Sequence, residues 1–178
     1  MVDALLDLLR EGQLRPTAPL VAARAGVSLR SVFQHFADRE ALFAAAADRQ
    51  TAHVRALAQR LDHTGPLDER LAAFVAQRAS MLEAIAPVRR AALLMEPFSS
   101  AIGTRLAQAR GAARAELVHV FGPELRRRAA ADRRELLAAL AAASGFSAWD
   151  ALRAHEGLPV TRARRAMLRT LRALLRQP

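Results

Sequence analysis

Apolar residues recur every three or four positions throughout this chain, between breaks marked by proline and glycine. That spacing places them on one face of an α-helix, whereas a half-buried strand would show strict alternation. Alanine, leucine and arginine dominate the sequence, and all three favour helices, while β-branched and aromatic residues are sparse. The pattern therefore predicts an all-α fold whose core forms where the apolar faces meet.

The breaks divide the chain into roughly nine predicted helices. The first predicted helix directs Leu5, Leu8 and Leu9 inward. In chain order, the predicted segments are 3–11, 17–25, 29–36, a long fourth helix from Asp38 to the Gly65-Pro66 break, a fifth from 67 that Pro87 interrupts, a short apolar segment at 88–95, and then 100–121, 133–143 and 161–176.

The second and third predicted helices have the spacing of a helix-turn-helix. Thr17 and Ser28 are favourable N-cap residues, and Gly26 lies where a helix needs a left-handed residue to turn. Val27 and Val32 are expected to fill the space between the two helices. In such a unit the second helix lies in the major groove of DNA, and its first residues reach the base edges.

This segment resembles the tetracycline-repressor-like (TetR) family of regulators. The matching residues, in the family's order and spacing, are Thr17, Val21-Ala22, Ala25-Gly26-Val27-Ser28, Phe33-Gln34-His35-Phe36 and Arg39-Glu40-Ala41-Leu42. The resemblance implies a three-helix DNA-binding headpiece at residues 1–48 and an α-helical ligand-binding and dimerisation domain at residues 49–178.

The resemblance also assigns roles to residues of the headpiece. The candidate DNA-binding residues are Thr17, Ser28, Leu29, Arg30, Ser31, Phe33, Gln34, His35 and Arg39. Thr17, His35 and Arg39 would hold backbone phosphates, and Arg30 would read a base, since a guanidinium can bond guanine in two places.

Two departures from the family pattern bear on affinity. Phe33 stands where the family usually has a tyrosine whose hydroxyl reaches a phosphate, so we expect binding to be weaker by one hydrogen bond, about 0.5–1.5 kcal/mol. Family members often carry a basic extension before the first helix, and none precedes it in this sequence. Minor-groove contacts from such an arm are therefore not expected.

The end of the chain resembles the dimerisation helices of the family. The residues expected at a homodimer interface are Leu136, Leu140, Met167, Leu171 and Leu175. Packing within one chain is the alternative for each of them. The opposite face of the last predicted helix carries Arg162, Arg164, Arg165, Arg169, Arg172 and Arg176. These arginines form either a solvated face, a membrane-surface face or a site for an acidic effector or partner.

A pocket for an unidentified small-molecule effector is expected between helices of the second domain. Its candidate lining residues are Phe74, Arg78, Met81, Met95, Phe98, Leu117, Phe121 and Trp149. Methionine and aromatic side chains adapt to apolar ligands, but they are also ordinary core residues. Arg78 faces either water or an anionic group.

Several function classes lack support in the sequence. The chain has no cysteine, which excludes disulfides, thiolate metal sites and cysteine nucleophiles. No phosphate-binding glycine loop, serine nucleophile motif or zinc-protease motif is present, so we expect no enzyme activity, no catalytic residue, no metal and no cofactor. With no signal peptide and no apolar run near the ~20 residues that span a bilayer, a cytoplasmic protein without a membrane partner is expected.

Charge is compatible with DNA as a partner but does not locate the contact. The net charge is +10, yet residues 1–50 contain six arginines and six acids, so the excess lies after residue 50. The motifs therefore carry the functional prediction: a sequence-specific, dimeric repressor that binds double-stranded DNA at a palindromic operator and that an effector releases. The alternative is a helix-turn-helix used for protein interaction without operator binding.

Overall fold

The computed structural model describes residues 1–176, and within this range the regular structure is helical, with no strand. The helices are Val2–Arg10 (α1), Ala18–Ala25 (α2), Leu29–His35 (α3), Arg39–Leu57 (α4), Leu67–Met95 (α5), Ser100–Arg126 (α6), Ala130–Ala143 (α7), Phe146–Asp150 (α8) and Val160–Arg176 (α9). A 3₁₀ turn, Glu96–Phe98, precedes α6, and a π turn, Ala151–His155, follows α8. The all-α prediction is confirmed.

The chain forms two compact units. The first comprises Met1–Ala56 and Ala84–Ala107, and the second comprises Leu57–Glu83 and the described residues from Gln108 onward. The boundary predicted between residues 48 and 49 stays a prediction, because this grouping follows packing within each unit.

The core of the first unit forms around α1. Leu5, Leu8 and Leu9 are buried, as predicted, and pack in one cluster with Val21 of α2 and Val32 of α3. Residues of α4 and α5 complete this cluster, namely Leu42, Phe43, Ala46 and Ala91. Because each short helix contributes one apolar face, none of the three could bury that face alone.

The turn between α2 and α3 has the predicted geometry. Gly26 adopts a left-handed conformation with φ 66°, and its amide donates to carbonyls of α2. Val27 departs from the prediction, since it remains 36% exposed while Val32 is buried. The left-handed turn directs the chain outward directly before Ser28. Val32 therefore fills the space between the helices, whereas Val27 lies at the surface.

Helix α4 is shorter than predicted. It ends at Leu57 and does not continue to the Gly65-Pro66 break. Beyond it, the Gln59 amide donates to the side-chain oxygen of Gln77 at 2.7 Å, and Asp62 Oδ1 accepts bonds from both the amide and the hydroxyl of Thr64. Side-chain oxygens therefore accept hydrogen bonds from amides that would have bonded to carbonyls of α4 if the helix had continued.

Helix α5 continues through Pro87, which was expected to interrupt it. A proline inside a helix removes one backbone hydrogen bond and displaces the preceding carbonyls. Beside this gap, the buried side chain of Gln50 donates from Nε2 to the Ala84 carbonyl at 2.8 Å. This bond joins α4 to α5 beside the proline, and the helix extends to Met95.

The second unit is built on buried apolar side chains from α5 to α9. Phe74 and Phe121 lie edge to face, with ring centroids 5.3 Å apart. The other fully buried large residues are Leu71, Leu117, Leu140, Trp149, Met167 and Leu171. Edge-to-face packing of this kind favours one arrangement of the two rings over others.

Helix α6 passes the Gly122-Pro123 exit that the sequence predicted and ends at Arg126. Phe121 has non-helical angles, φ −109° and ψ 19°, so the helix kinks there and restarts. Proline is tolerated in the first turn of a helix, and Pro123 takes such a position after the kink. The buried Arg70 donates to the carbonyls of Val120 and Gly65 and to both carboxylate oxygens of Glu124.

One segment, Leu67–Phe98, is long and apolar enough to cross a membrane by length and composition alone. No uncharged apolar run of that length occurs in the segment, because Arg78 and Glu83 interrupt it. The same segment supplies Leu71, Phe74 and Val75 to the core, and core helices of water-soluble proteins meet the same criterion. It is therefore weak evidence for a membrane span.

We expect the conformation of Gly26 to contribute measurably to stability. A Cβ at Gly26 would contact no atom within 4 Å, so Gly26→Ala changes only the backbone preference. The variant should lose about 1–2 kcal/mol of unfolding free energy in urea titration. Gly111→Ala in α6, also with open space, is the control and should gain up to about 1 kcal/mol. Equal effects of the two changes would contradict this explanation.

The Arg70–Glu124 pair should make stability depend on pH. Burial raises the pKa of Glu124, but the hydrogen bonding of Arg70, a backbone hydrogen bond and the charges of Arg70 and Arg127 together hold the pKa below its ordinary value. The stabilisation is therefore present above the unfolded-state pKa and is lost as pH falls through the folded-state pKa. Glu124→Gln should cost about 3 kcal/mol at neutral pH and flatten the acid limb of the stability profile.

The matched control for Glu124→Gln is Glu69→Gln, an exposed glutamate of α5. Urea unfolding of both variants across acidic and neutral pH separates the buried pair from general charge effects. Identical pH profiles for the two variants would show that the pair does not supply the dependence.

Candidate nucleic-acid interface

Helix α3 lies almost entirely at the surface of the first unit. Among its seven residues only Val32 is buried, at 2% exposure. Leu29 and Phe33 occupy one exposed face, and Phe33 is 52% exposed. Arg30, Gln34 and His35 are also exposed, whereas Ser31 is half-buried. A short helix with this much exposed apolar and polar surface presents its side chains for a partner.

Hydroxyl groups cap the two helices of the turn. Ser28 Oγ accepts a bond from the Ser31 amide at 3.1 Å and lies 2.9 Å from Ser31 Oγ. Thr17 Oγ1 accepts a longer bond, 3.4 Å, from the Leu20 amide. Both caps agree with the sequence prediction. Amide groups at these helix starts also favour nearby anions such as phosphate.

The charges of the first unit are arranged so that this surface remains positive. No acid occurs between Glu11 and Asp38 in the sequence. Glu11 accepts two 2.7 Å bonds from Arg24, which lower the pKa of Glu11 and raise that of Arg24. Asp3 of α1 pairs with Arg49. Glu11 and Asp3 are thus paired, whereas Arg30 and Arg39 have no ion pair within residues 1–176.

The structure places the predicted DNA-binding residues on three neighbouring elements of the same unit. Thr17 caps α2, Ser28 caps α3 with the other candidates on α3 itself, and Arg39 is the first residue of α4. Leu20 was not among the candidates, yet it is exposed on α2, outside the phase of the buried Val21 and Ala22. That phase could have predicted its exposure. The assignment of each residue to DNA stays a prediction.

The eight predicted effector residues fall into two groups. Met95 and Phe98 belong to the first unit, where Phe98 is 86% exposed. The remaining residues belong to the second unit; Phe74, Leu117, Phe121 and Trp149 are buried, and Met81 is half-buried. The expected single lining is therefore divided between the units, and its role in ligand binding stays a prediction.

Of the two predicted environments of Arg78, water or an anionic group, the structure has the anionic group, which is the carboxylate of Glu116. Arg78 is buried, pairs with Glu116, and lies 4.9 Å from the centroid of the Phe74 ring. Burial lowers its pKa, against the opposing effect of Glu116. Its Nε has no hydrogen-bond partner. A buried donor of this kind is costly unless an acceptor reaches it.

The predicted dimer residues are mostly buried within the single chain. Leu140, Met167, Leu171 and Leu175 form part of the core of the second unit, while Leu136 is half-buried. On the opposite face of α9, Arg172 and Arg176 both pair with Asp68. Four of the five side chains thus pack within one chain, which is the alternative that the sequence left open, and their role in a dimer stays a prediction.

No group of three or more histidine, aspartate or glutamate residues with metal-binding spacing occurs among residues 1–176. Arg153 and the indole nitrogen of Trp149 both donate to Glu83, an arrangement that joins elements of the second unit. Ring centroids of His63 and His119 lie 4.8 Å apart.

Comparison with known proteins agrees with this geometry. Residues 2–46 match the model of the family described as bacterial regulatory proteins, tetR family. A solved structure of a transcriptional regulator from Rhodococcus sp. Rha1 has a similar fold, with a TM-score of 0.76 and 21% sequence identity over 98% of this chain and 93% of that one. No curated protein sequence matches the chain.

Two substitutions at Ser28 should separate capping from contact with a ligand. Ser28→Ala removes the cap and should cost about 1 kcal/mol of unfolding free energy, whereas Ser28→Asn retains a good cap and should restore it. Urea titration measures both. If binding to DNA recovers with the cap in Ser28→Asn, the hydroxyl acts by ordering α3; if it does not, Ser28 itself contacts DNA. No loss of stability in Ser28→Ala would contradict the capping role.

Proposed function

Since residues 2–46 form an N-terminal domain of the tetR family of bacterial regulatory proteins, the chain is a DNA-binding transcriptional regulator, and we propose that it acts as a dimeric repressor. In this proposal each subunit places α3 in the major groove of one half of a palindromic operator. A small-molecule effector releases the protein from the DNA. We place it in the cytoplasm, without enzyme activity.

The exposed surface of α3 carries the proposal. Leu29, Arg30, Phe33 and Gln34 project from a helix in which Val32 is the only buried residue. Large apolar side chains are unfavourable when exposed to water and favourable when they contact the edges of bases. Unpaired cations beside them are favourable against phosphates. A surface helix without a partner on its exposed face would be expected to carry polar side chains there.

Each side chain of this surface has a role that follows from its chemistry. Arg30 and Gln34 would contact base edges, since their planar groups can form two hydrogen bonds with guanine and adenine. Leu29 and Phe33 would contact thymine methyl groups. The phosphate contacts would come from Thr17, His35, Arg39 and the hydroxyls of Ser28 and Ser31.

We propose that the homodimer forms through α7 and α9. The half-buried Leu136 would lie at the contact, with Leu140, Met167, Leu171 and Leu175 supporting the same surface from within the core. Two-fold symmetry of the protein would match that of the operator, with half-sites separated by one helical turn, about 34–36 Å.

For the effector we propose a site in the second unit that includes Phe74, Arg78, Met81, Leu117, Phe121 and Trp149. The buried, unsatisfied Nε of Arg78 supports an effector with a hydrogen-bond acceptor. The effector would shift the dimer away from the DNA-binding form only through its different affinity for the two forms.

DNA selection tests the proposal directly. A titration against a randomised double-stranded pool should enrich a palindrome, with binding that weakens steeply as salt rises. Arg30→Ala should change the preferred base at one position, with a discrimination loss of about 1–3 kcal/mol. Arg39→Ala should weaken binding to all sequences alike and reduce the salt slope by about 1.

The outcomes also test the alternative of a protein-interaction module. Absence of enrichment at low salt, for a protein shown by circular dichroism to be folded and by sedimentation to be dimeric, would favour the alternative. Equal losses on selected and random DNA for Arg30→Ala would remove Arg30 from the base-reading residues.

A further inference from the structure

A surface cavity of about 500 Å³ occurs in the first unit, beside the start of α4 and the end of α5. Leu94, Met95 and Phe98 form its apolar wall. Phe98 is 86% exposed, the largest exposure of any large apolar side chain in the part of the chain that the structure describes. Covering such a ring is favourable, and the volume lies in the range of small-molecule sites, roughly 300–1,000 Å³.

Two cations also line the cavity, Arg15 and Arg39. Both are exposed, and neither has an ion pair or hydrogen bond among residues 1–176. Other arginines of this unit form ion pairs with acids, as in the Arg24–Glu11 and Arg105–Asp48 pairs. Two unpaired guanidinium groups beside an apolar wall are complementary to a molecule that has an anionic end and an apolar body.

The two carboxylates of the cavity are held by other bonds. Asp38 Oδ1 accepts a 2.7 Å bond from the Ala41 amide at the start of α4. Glu40 accepts a bond from the hydroxyl of Ser99, whose oxygen in turn accepts from the Ile102 amide. These contacts fix both acids at helix starts but leave them charged. Arg15 and Arg39, which have no ion pair among residues 1–176, are the groups of the cavity that can bind an anion.

We propose that this cavity binds an amphipathic organic carboxylate, with its apolar body against Phe98 and Leu94 and its carboxylate at Arg15 and Arg39. The site is distinct from the effector site proposed above, whose residues belong to the second unit. Binding of the carboxylate does not depend on the proposed function. Its effect on DNA does, because Arg39 is also a proposed phosphate contact.

Isothermal titration calorimetry of the full chain without DNA tests the site. The probes are 1-naphthylacetate and the neutral 1-naphthylacetamide, which share an apolar body and differ in charge. The carboxylate should bind with a Kd near or below about 1 mM and about tenfold more tightly than the amide. Equal affinities for the two probes, or no heat from either up to about 10 mM, would overturn the proposal.

Matched variants locate the bound probe. Arg15→Gln and Arg39→Gln should each weaken 1-naphthylacetate about threefold or more and leave the amide unchanged, because each removes one charged hydrogen bond. Arg55→Gln, an exposed arginine of α4 outside the cavity, should change neither affinity. If Arg55→Gln weakens the carboxylate as much as the cavity variants, general electrostatic attraction explains binding and the site is wrong.

The apolar wall has its own control pair. Phe98→Ala should weaken both probes about threefold or more, since the ring contacts the shared apolar body. Leu93→Ala, also exposed but outside the cavity, should weaken neither. A second copy of the chain is the competing occupant. If Phe98→Ala dissociates dimers in sedimentation and leaves both probe affinities unchanged, the cavity is a protein interface and the proposal fails.

A DNA titration with and without 1-naphthylacetate then tests the coupling. The probe should weaken DNA binding by the wild type, and Arg39→Gln should remove this effect. If the probe binds but does not change DNA binding, the cavity site stands and Arg39 is not a contact shared by the probe and DNA. No DNA binding in any condition rejects the proposed function and leaves the calorimetric result standing.

Discussion

A single buried side chain, Val32, joins the seven-residue helix α3 to the core of the first unit. Isolated helices shorter than about 12–15 residues are marginal in water, so α3 depends on its surroundings to form. The Ser28 cap orders its first turn, and the left-handed Gly26 sets its direction from α2. Since these three residues determine where the helix lies, its packing does not require the remaining side chains of α3. Those side chains are therefore available to contact a partner.

The positive surface of the headpiece arises from placement and not from excess charge. Residues 1–50 carry equal numbers of arginines and acids. The acids of α1 and the Glu11 that follows it pair with Arg10, Arg24 and Arg49, and the acids around α4 bond to the Ala41 amide, Ser99 and Arg105. Net charge therefore describes this surface poorly, because the paired charges offset one another while Arg30 and Arg39 have no ion pair among residues 1–176.

Features set by neighbouring residues were predictable from the sequence, and features set by distant ones were not. The caps at Thr17 and Ser28, the turn at Gly26 and the buried face of α1 follow from local rules, and the candidate recognition helix follows with them. The end of α4, the continuity of α5 at Pro87 and the restart of α6 occur beside hydrogen bonds of Gln77, Gln50 and Arg70, whose partners lie far along the chain or on another helix. The cavity beside Phe98 was missed for the same reason, since exposure depends on which helices meet.

Arg39 connects the two surfaces of the first unit. It begins α4 beside the proposed DNA contacts and also lines the cavity with Arg15. One guanidinium cannot fully satisfy a phosphate and a carboxylate at once, so the two ligands would oppose each other. Linkage makes the effect reciprocal. If the bound anion weakens DNA binding by a given factor, bound DNA weakens binding of the anion by the same factor. An antagonism of this kind needs no movement between the two units, because the shared side chain carries the coupling.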